Sequence, residues 1–183
     1  MPFTFHPLAI PDVILIETRA FTDPRGSLLE LYRRSAFAAQ GITVEFIQDN
    51  LSRSVRGTLR GLHYQIAPHA QAKLVWVTQG EIFDAAVDLR SGSATFGRYV
   101  AQTLSADNRQ MLFIPVGFAH GFCVLSELAD VQYKCSAEYQ PGSERGIRWD
   151  DPQLNIPWPV RQPLLSDKDR QLPPFDRAEF SFP

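Results

Sequence analysis

Cysteine is scarce, long apolar runs are missing, and neither sign of charge prevails in this sequence of 183 residues with net charge -2. The two thiols, Cys123 and Cys135, sit in strand-like segments without CxxC spacing. That argues against a disulfide framework or a zinc ribbon and suits buried thiols in a reducing compartment. No run approaches the roughly 18–20 apolar residues needed to span a membrane. The N-terminal MPFTFHPLAIPDVILIETR has no early positive charge, and Pro7 and Pro11 break its apolar character. Neither a signal peptide nor a membrane partner is expected. The balanced charge also argues against a nucleic-acid surface. Repeats, low-complexity tracts and linkers are lacking, so one soluble, cytoplasmic domain spanning 1–183 is expected.

Turn residues and aromatics are plentiful. The chain is 44% hydrophobic, with 13 Phe, 5 Tyr and 3 Trp, and its 11 Gly and 14 Pro punctuate short apolar runs. This pattern predicts an all-β domain. Extended pieces are expected at 3–8 and 13–18, apolar enough to need a cover such as a second subunit. Asp23-Pro24-Arg25-Gly26 signals a turn before a strand over 28–32. Ser35 is placed to cap a short helix over 36–40 that Gly41 stops. A strand over 44–51 ends in Gln48-Asp49-Asn50, and strands over 74–78 and 82–89 flank Gln79-Gly80 as a hairpin. In the second of these, Phe83, Ala85, Val87 and Leu89 alternate with Asp84, Ala86 and Asp88, the pattern of a half-buried strand. Further strands at 98–104, 111–114, 119–125 and 131–137 suggest a sandwich or barrel. Seven of the 14 prolines lie between Pro152 and Pro183. An irregular tail wrapping the barrel is therefore expected, with one short helix near 166–170.

The stretch GTLRGLHYQIAPHAQAK, from Gly57 to Lys73, gathers Arg60, His63, His69 and Lys73, with Arg53 and Arg56 just before it. No acidic residue occurs between Asp49 and Glu81. A local basic segment in a weakly acidic chain points to a small anionic ligand held at one place. On a strictly alternating strand Arg60 and His63 would face opposite ways. Gly57 and Gly61 permit a bulge that would bring both to one cavity. The alternative is a surface strand with solvated arginines and a structural histidine. Elsewhere, Pro115-Val116-Gly117-Phe118-Ala119-His120 delivers a histidine into an apolar strand, Tyr133-Lys134 lies in an alternating strand, and Ser166-Asp167-Lys168-Asp169 opens a helix. Each has a bland counterpart: a core histidine, a packing tyrosine, a solvated helix start.

Taken together these blocks are more specific. The sequence resembles the dTDP-4-dehydrorhamnose 3,5-epimerase family of nucleotide-sugar enzymes. The resemblance runs in order from about residue 3 to 170. It is carried by Asp23-Pro24-Arg25-Gly26 with Glu30, Phe46-Ile47-Gln48-Asp49-Asn50, Leu59-Arg60-Gly61-Leu62-His63-Tyr64-Gln65, Lys73-Leu74-Val75 and Gly80-Glu81-Ile82-Phe83-Asp84. Val87-Asp88-Leu89-Arg90, Pro115 to Phe122, Tyr133-Lys134, Ile156-Pro157-Trp158-Pro159 and 165–169 continue it.

The resemblance implies a cupin-type jelly-roll barrel and a homodimer whose N-terminal strands cross to the partner. It implies inversion at carbons 3 and 5 of a dTDP-4-keto-6-deoxyhexose, on the way to dTDP-L-rhamnose. By position, His63 is the implied base, Asp169 its dyad partner, Tyr133 the proton donor on the opposite sugar face, and Lys73 the cation near the developing enolate. Arg25, Glu30, Gln48, Asp49, Asn50, Arg60, His120, Glu144 and Lys168 match substrate-holding positions. Arg25 and Arg60 suit the diphosphate, and Tyr139 is a candidate for stacking on thymine. Ser27 and Leu28 depart from the pattern where many relatives carry aromatics. No metal and no cofactor are implied: Gln65 stands two residues after His63, where a metal-binding cupin would have a second histidine. The rival readings are a single-site 3- or 5-epimerase of another deoxysugar, a silent sugar-nucleotide-binding cupin, and a metal-dependent cupin.

Overall fold

A computed structural model describes residues 2–182; Met1 and Pro183 lie outside the described residues. Thirteen strands run in chain order: β1 Phe3–Pro7, β2 Ile14–Thr18, β3 Ala20–Asp23, β4 Gly26–Leu29, β5 Gln48–Val55, β6 Leu59–Gln65, β7 Lys73–Gln79, β8 Glu81–Asp88, β9 Tyr99–Ser105, β10 Gln110–Ile114, β11 Phe118–Val124, β12 Leu128–Cys135 and β13 Glu144–Gly146. Two short helices, α1 Arg34–Ala38 and α2 Asp167–Arg170, are peripheral. A six-stranded sheet has the order β1-β2-β10-β7-β12-β5, a five-stranded sheet the order β13-β6-β11-β8-β9, and β3 and β4 form a separate hairpin. The pairings within all three sheets are antiparallel. The result is the all-β, cupin-type jelly roll expected from the sequence.

Three apolar clusters follow from the period-2 alternation of the strands. Between the sheets, Val75, Val77, Leu112, Ile114 and Val131 meet Ile82, Leu104 and Val124. Outside the six-stranded sheet, Ile16, Leu74, Trp76 and Met111 pack against Phe37 of α1 and Ile42. Outside the five-stranded sheet, Leu62, Ala85, Val87 and Leu89 are covered by Ile147, Leu154, Phe175 and Phe182 from the C-terminal segment. Each Val, Leu, Ile, Phe or Met among them, when fully buried, contributes about 1.5–3 kcal/mol.

Several local expectations change. The 74–78 and 82–89 strands form no hairpin, because β7 pairs with β10 and β12 whereas β8 pairs with β9 and β11. Gly80, at φ 77°, is a corner between the sheets; a Cβ there would lie 2.0 Å from the Leu128 carbonyl oxygen. Nor is β8 half-buried: the tail covers its outer face, and Asp84 and Asp88 are fully buried. Ser35 does not cap α1. The helix begins at Arg34 with Arg33 at the N-cap and no side-chain cap, and is anchored by buried Phe37. The strand expected over 44–51 runs later, as β5, so that Gln48-Asp49-Asn50 begins it. Its register against β12, Cys135 opposite Gln48 and Leu128 opposite Val55, sets those bounds. β1 and β2 pair with each other, and β2 adds to β10 of the same chain.

Candidate active site

Between the two sheets a cavity of about 350 Å³ is lined by Gln48, Asn50, His63, Lys73, Tyr133 and Glu144, among others. It continues into a lobe of about 180 Å³ lined by Arg60, His63, Lys73, His120, Tyr133, Lys168 and Asp169, with Phe122 as an apolar wall. His63, Lys73 and Tyr133 border both volumes. His63 comes from the five-stranded sheet, and Lys73 and Tyr133 come from the six-stranded sheet. Imidazole and phenol thus reach the same hollow from opposite walls.

The bulge anticipated at Gly61 is what unites Arg60 with His63. His120 of β11 pairs with His63, but Phe122 pairs with Arg60, so three steps of β6 oppose two of β11. The extra residue cancels the alternation that would have separated the two side chains. Gly61 adopts φ 128°, and a Cβ there would lie 2.5 Å from Gly121 Cα and 2.9 Å from the His120 carbonyl oxygen. Only glycine fits.

His63 Nε2 lies 2.6 Å from Asp169 Oδ1. The Ser166 side chain caps α2 by accepting the Asp169 N–H at 3.1 Å, which fixes where the carboxylate stands. Burial pushes the Asp169 carboxyl up, but hydrogen bonding and charge from His63, with help from Ser166, leave it below its ordinary value. It is therefore ionised at neutral pH. Tyr133 is pushed up, first by burial and then by Cys135, so its phenol keeps its proton. Burial pushes Lys73 down, opposed by Cys135, Asp84 and Glu144. A second buried pair, His120 Nε2 to Asp84 Oδ2 at 2.8 Å, stands behind the smaller lobe.

At the mouth, Glu144 accepts from the Tyr139 hydroxyl at 2.5 Å and is ion-paired with Lys168. Tyr139 N–H donates to Gln48 Oε1 at 2.7 Å, and Gln48 Nε2 donates to Asn50 Oδ1 at 3.0 Å. Burial raises Glu144, but Lys168 and Tyr139 bring it below its ordinary value. Arg60 donates from Nε to Ser54 Oγ at 3.0 Å and leaves the rest of its fork to the lobe.

Not every expected residue converges. Asp49 alternates out of the cavity and accepts from Lys134 at 2.7 Å on the outer face. Arg25 is 90% exposed in the β3–β4 turn and bound to Asp23 at 2.6 Å; Glu30 is bound to Arg33 at 2.8 Å. Neither lines the cavity of its own chain. Arg53 also turns away, to Asp130 at 2.6 Å. Conversely, Gln71, Cys135 and Ser166 border the two volumes without having been singled out for them. Cys135 was legible in principle, two residues after Tyr133 on the same strand face.

This geometry agrees with what the chain is similar to. The family model described as dTDP-4-dehydrorhamnose 3,5-epimerase matches residues 7–177. A dTDP-4-dehydrorhamnose 3,5-epimerase of Pseudomonas aeruginosa is 57% identical over 174 residues, 94% of this chain and 96% of its own. A dTDP-6-deoxy-D-glucose-3,5-epimerase of Legionella pneumophila, solved in complex with dTDP-4-keto-L-rhamnose, superposes with TM-score 0.93 at 45% identity, covering 96% of this chain and 94% of that one. A dTDP-4-dehydrorhamnose 3,5-epimerase of Bacillus anthracis, solved with TDP and PPi bound, gives TM-score 0.92 at 46% identity over 94% of this chain and 99% of that one. The match over nearly the whole length, on a barrel whose cavity is lined by an imidazole from one sheet and a phenol from the other, places this chain in the dTDP-4-dehydrorhamnose 3,5-epimerase family.

Proposed function

We propose that the protein is an isomerase that inverts carbons 3 and 5 of dTDP-4-dehydro-6-deoxy-D-glucose to give dTDP-4-dehydro-L-rhamnose, in the supply of dTDP-L-rhamnose. The observation that carries this reading is the confrontation of His63 and Tyr133 across one cavity. Both carbons flank the 4-keto group, so loss of either hydrogen gives an enolate. With Nε2 held by Asp169, His63 presents Nδ1 as the base, and the carboxylate stabilises the imidazolium that forms. The C–H electron pair moves into the ring and onto oxygen 4, where the Lys73 ammonium meets the negative charge. Losing one such donor costs roughly 2.7–4 kcal/mol. Tyr133 then delivers its proton to the opposite face, and solvent resets both groups.

Gln48, Asn50, Arg60, His120, Glu144 and Lys168 hold the substrate, with Arg60 on the diphosphate and Tyr139 against the thymine. The protein acts as a homodimer. Arg25 and Glu30 stand outside their own cavity on or beside a hairpin whose Phe21 and Leu28 are 50% and 71% exposed. A second copy supplies the place for that hairpin. No described helix is long and apolar enough to cross a membrane, and two free thiols suit the cytoplasm.

The decisive experiment follows the sugar by NMR after incubation with the 4-keto-6-deoxyglucose nucleotide in deuterated water. Deuterium is expected at both carbon 3 and carbon 5. Uptake at one carbon alone would reassign the protein as a single-site epimerase, and no uptake would remove the enzymatic reading.

A further inference from the structure

Gln65 holds the place on β6 where a metal-binding cupin would have its second histidine, and it uses its amide there for a different task. It lies two residues after His63 on a regular stretch of strand, with Gly146 opposite His63 and Glu144 opposite Gln65, so both side chains enter the same cavity. Gln65 is only 3% exposed. Its amide has partners on two separate loops. Nε2 donates to the His69 carbonyl at 2.6 Å, between β6 and β7, and to the Glu138 carbonyl at 3.2 Å, between β12 and β13. Oε1 accepts the Gln140 N–H at 2.6 Å. Two carbonyls on one side and an N–H on the other admit a single orientation of the amide. Between Glu138 and Gln140 stands Tyr139. We infer that Gln65 is a positioning residue for the nucleotide, its side-chain amide clamping the peptide on either side of Tyr139 so that the phenol ring stands ready at the cavity mouth.

The inference rests on the reading above that sets thymine against Tyr139; the clamp itself is a matter of contacts. Tyr139 is half exposed, in a stretch between β12 and β13 that has no regular structure. Unsupported, such a side chain would sample many positions. Its N–H donates to Gln48 Oε1 at 2.7 Å and its hydroxyl to Glu144 at 2.5 Å. Glutamines from both sheets, Gln48 on β5 and Gln65 on β6, thus hold three consecutive residues. The Gln140 carbonyl accepts the N–H groups of Ser143 and Glu144 at 3.0 and 3.1 Å, which carries the restraint on to Glu144. The two loops are also joined by Gln71 Nε2 to the Ala137 carbonyl at 2.7 Å and by the Ala72 N–H to Ser136 Oγ at 2.8 Å. Those bonds stop short of the tyrosine, whereas Gln65 brackets it. A ring fixed before the base arrives loses less freedom on binding, so the clamp contributes to affinity and not to chemistry.

Gln65→Met tests this, because it keeps the length of the side chain and removes all three bonds. Calorimetric titration with dTDP is expected to give a Kd raised about tenfold, since losing the stack of a base on an aromatic ring costs about that much or more. In turnover, KM for the nucleotide-sugar should rise by a similar factor while kcat falls less than about threefold, the pattern of lost uniform binding. A Kd for dTDP raised less than about threefold overturns the inference, and so does a loss confined to kcat. In a Tyr139→Ala background Gln65→Met is expected to add less than about twofold to Kd; a full loss there would show that Gln65 acts by another route and overturn the inference too. A parent protein that does not bind dTDP at all would sink the epimerase reading and the inference with it, so the two failures are told apart. If Gln65→Met does not fold, hydrogen exchange in the parent decides. The Gln140 amide and the Gln65 side-chain amide are expected to be protected, and rapid exchange of either would refute the clamp.

Discussion

At the scale of single residues, the cavity separates two jobs that one group cannot do together. In the proposed scheme His63, kept in one orientation by Asp169 at 2.6 Å, acts as the base, and Tyr133, pushed up by burial, acts as the acid on the other wall. His63→Asn is expected to abolish deuterium exchange at both carbons, since one imidazole serves both, as the NMR assay would report directly. Exchange surviving at either carbon would require a second base. Tyr133→Phe should lose most net inversion, by on the order of 10²- to 10⁴-fold, while leaving some exchange through His63. Full epimerisation by that variant would strip the phenol of its role. Side-chain alternation decides which neighbours share the work: Gln48 and Asn50 face in, and Asp49 between them faces out to Lys134.

At the scale of elements, the site depends on one irregularity in β6. A regular strand would send Arg60 and His63 to opposite faces. The bulge at Gly61 brings both into the barrel, and β11 accommodates it with Gly121 directly against it. Gly61→Ala would place a Cβ 2.5 Å from backbone at a φ of 128°. The expected outcome is a loss of stability of roughly 1–3 kcal/mol, seen as a lower urea midpoint, together with a large fall in activity. A variant that melts like the parent but has lost turnover would show that the bulge serves the site alone. The helix α2 makes a similar point on a smaller scale, since a Ser166 cap on a four-residue helix is what aims Asp169.

At the scale of the whole molecule, charge is also buried away from the candidate site. Asp88 is fully buried, and Arg90, Ser93 and Thr95 converge on it. Burial pushes the Asp88 carboxyl up, but hydrogen bonds from those three residues outweigh it and hold it down to about 2, against an ordinary 3.8. Its folded value is depressed, so its contribution is full above pH 4 and disappears as pH falls toward 2, a loss of about 2 kcal/mol. Acid titration of stability should therefore be flatter between pH 4 and pH 2 in Asp88→Asn, which starts less stable at neutral pH. Association belongs to this scale too. Leu28→Asp, on the exposed hairpin, is expected to shift the sedimenting species from twice 20.7 kDa to 20.7 kDa and to reduce activity by withdrawing Arg25 and Glu30. A parent protein sedimenting as a monomer with full activity would end the dimer proposal.

Local chemistry in the sequence was enough for the all-β class, most strand positions, the Ser166-capped helix and the set of groups with acid–base and cationic character. Those properties come from residues close in the chain: alternation, turn formers, capping oxygens. Tertiary structure alone decided that Gly80 is a corner between sheets and not a hairpin, because pairing partners are chosen by the whole barrel. It decided that Asp84 and Asp88 turn to the interior, because a tail some sixty to ninety residues later covers the opposite, apolar face of their strand, Ala85, Val87 and Leu89. It also left Arg25 and Glu30 outside the cavity to which the resemblance assigns them. Residue type sets what a side chain can do; burial and reach, which set what it does, depend on chain segments that no local pattern brings together.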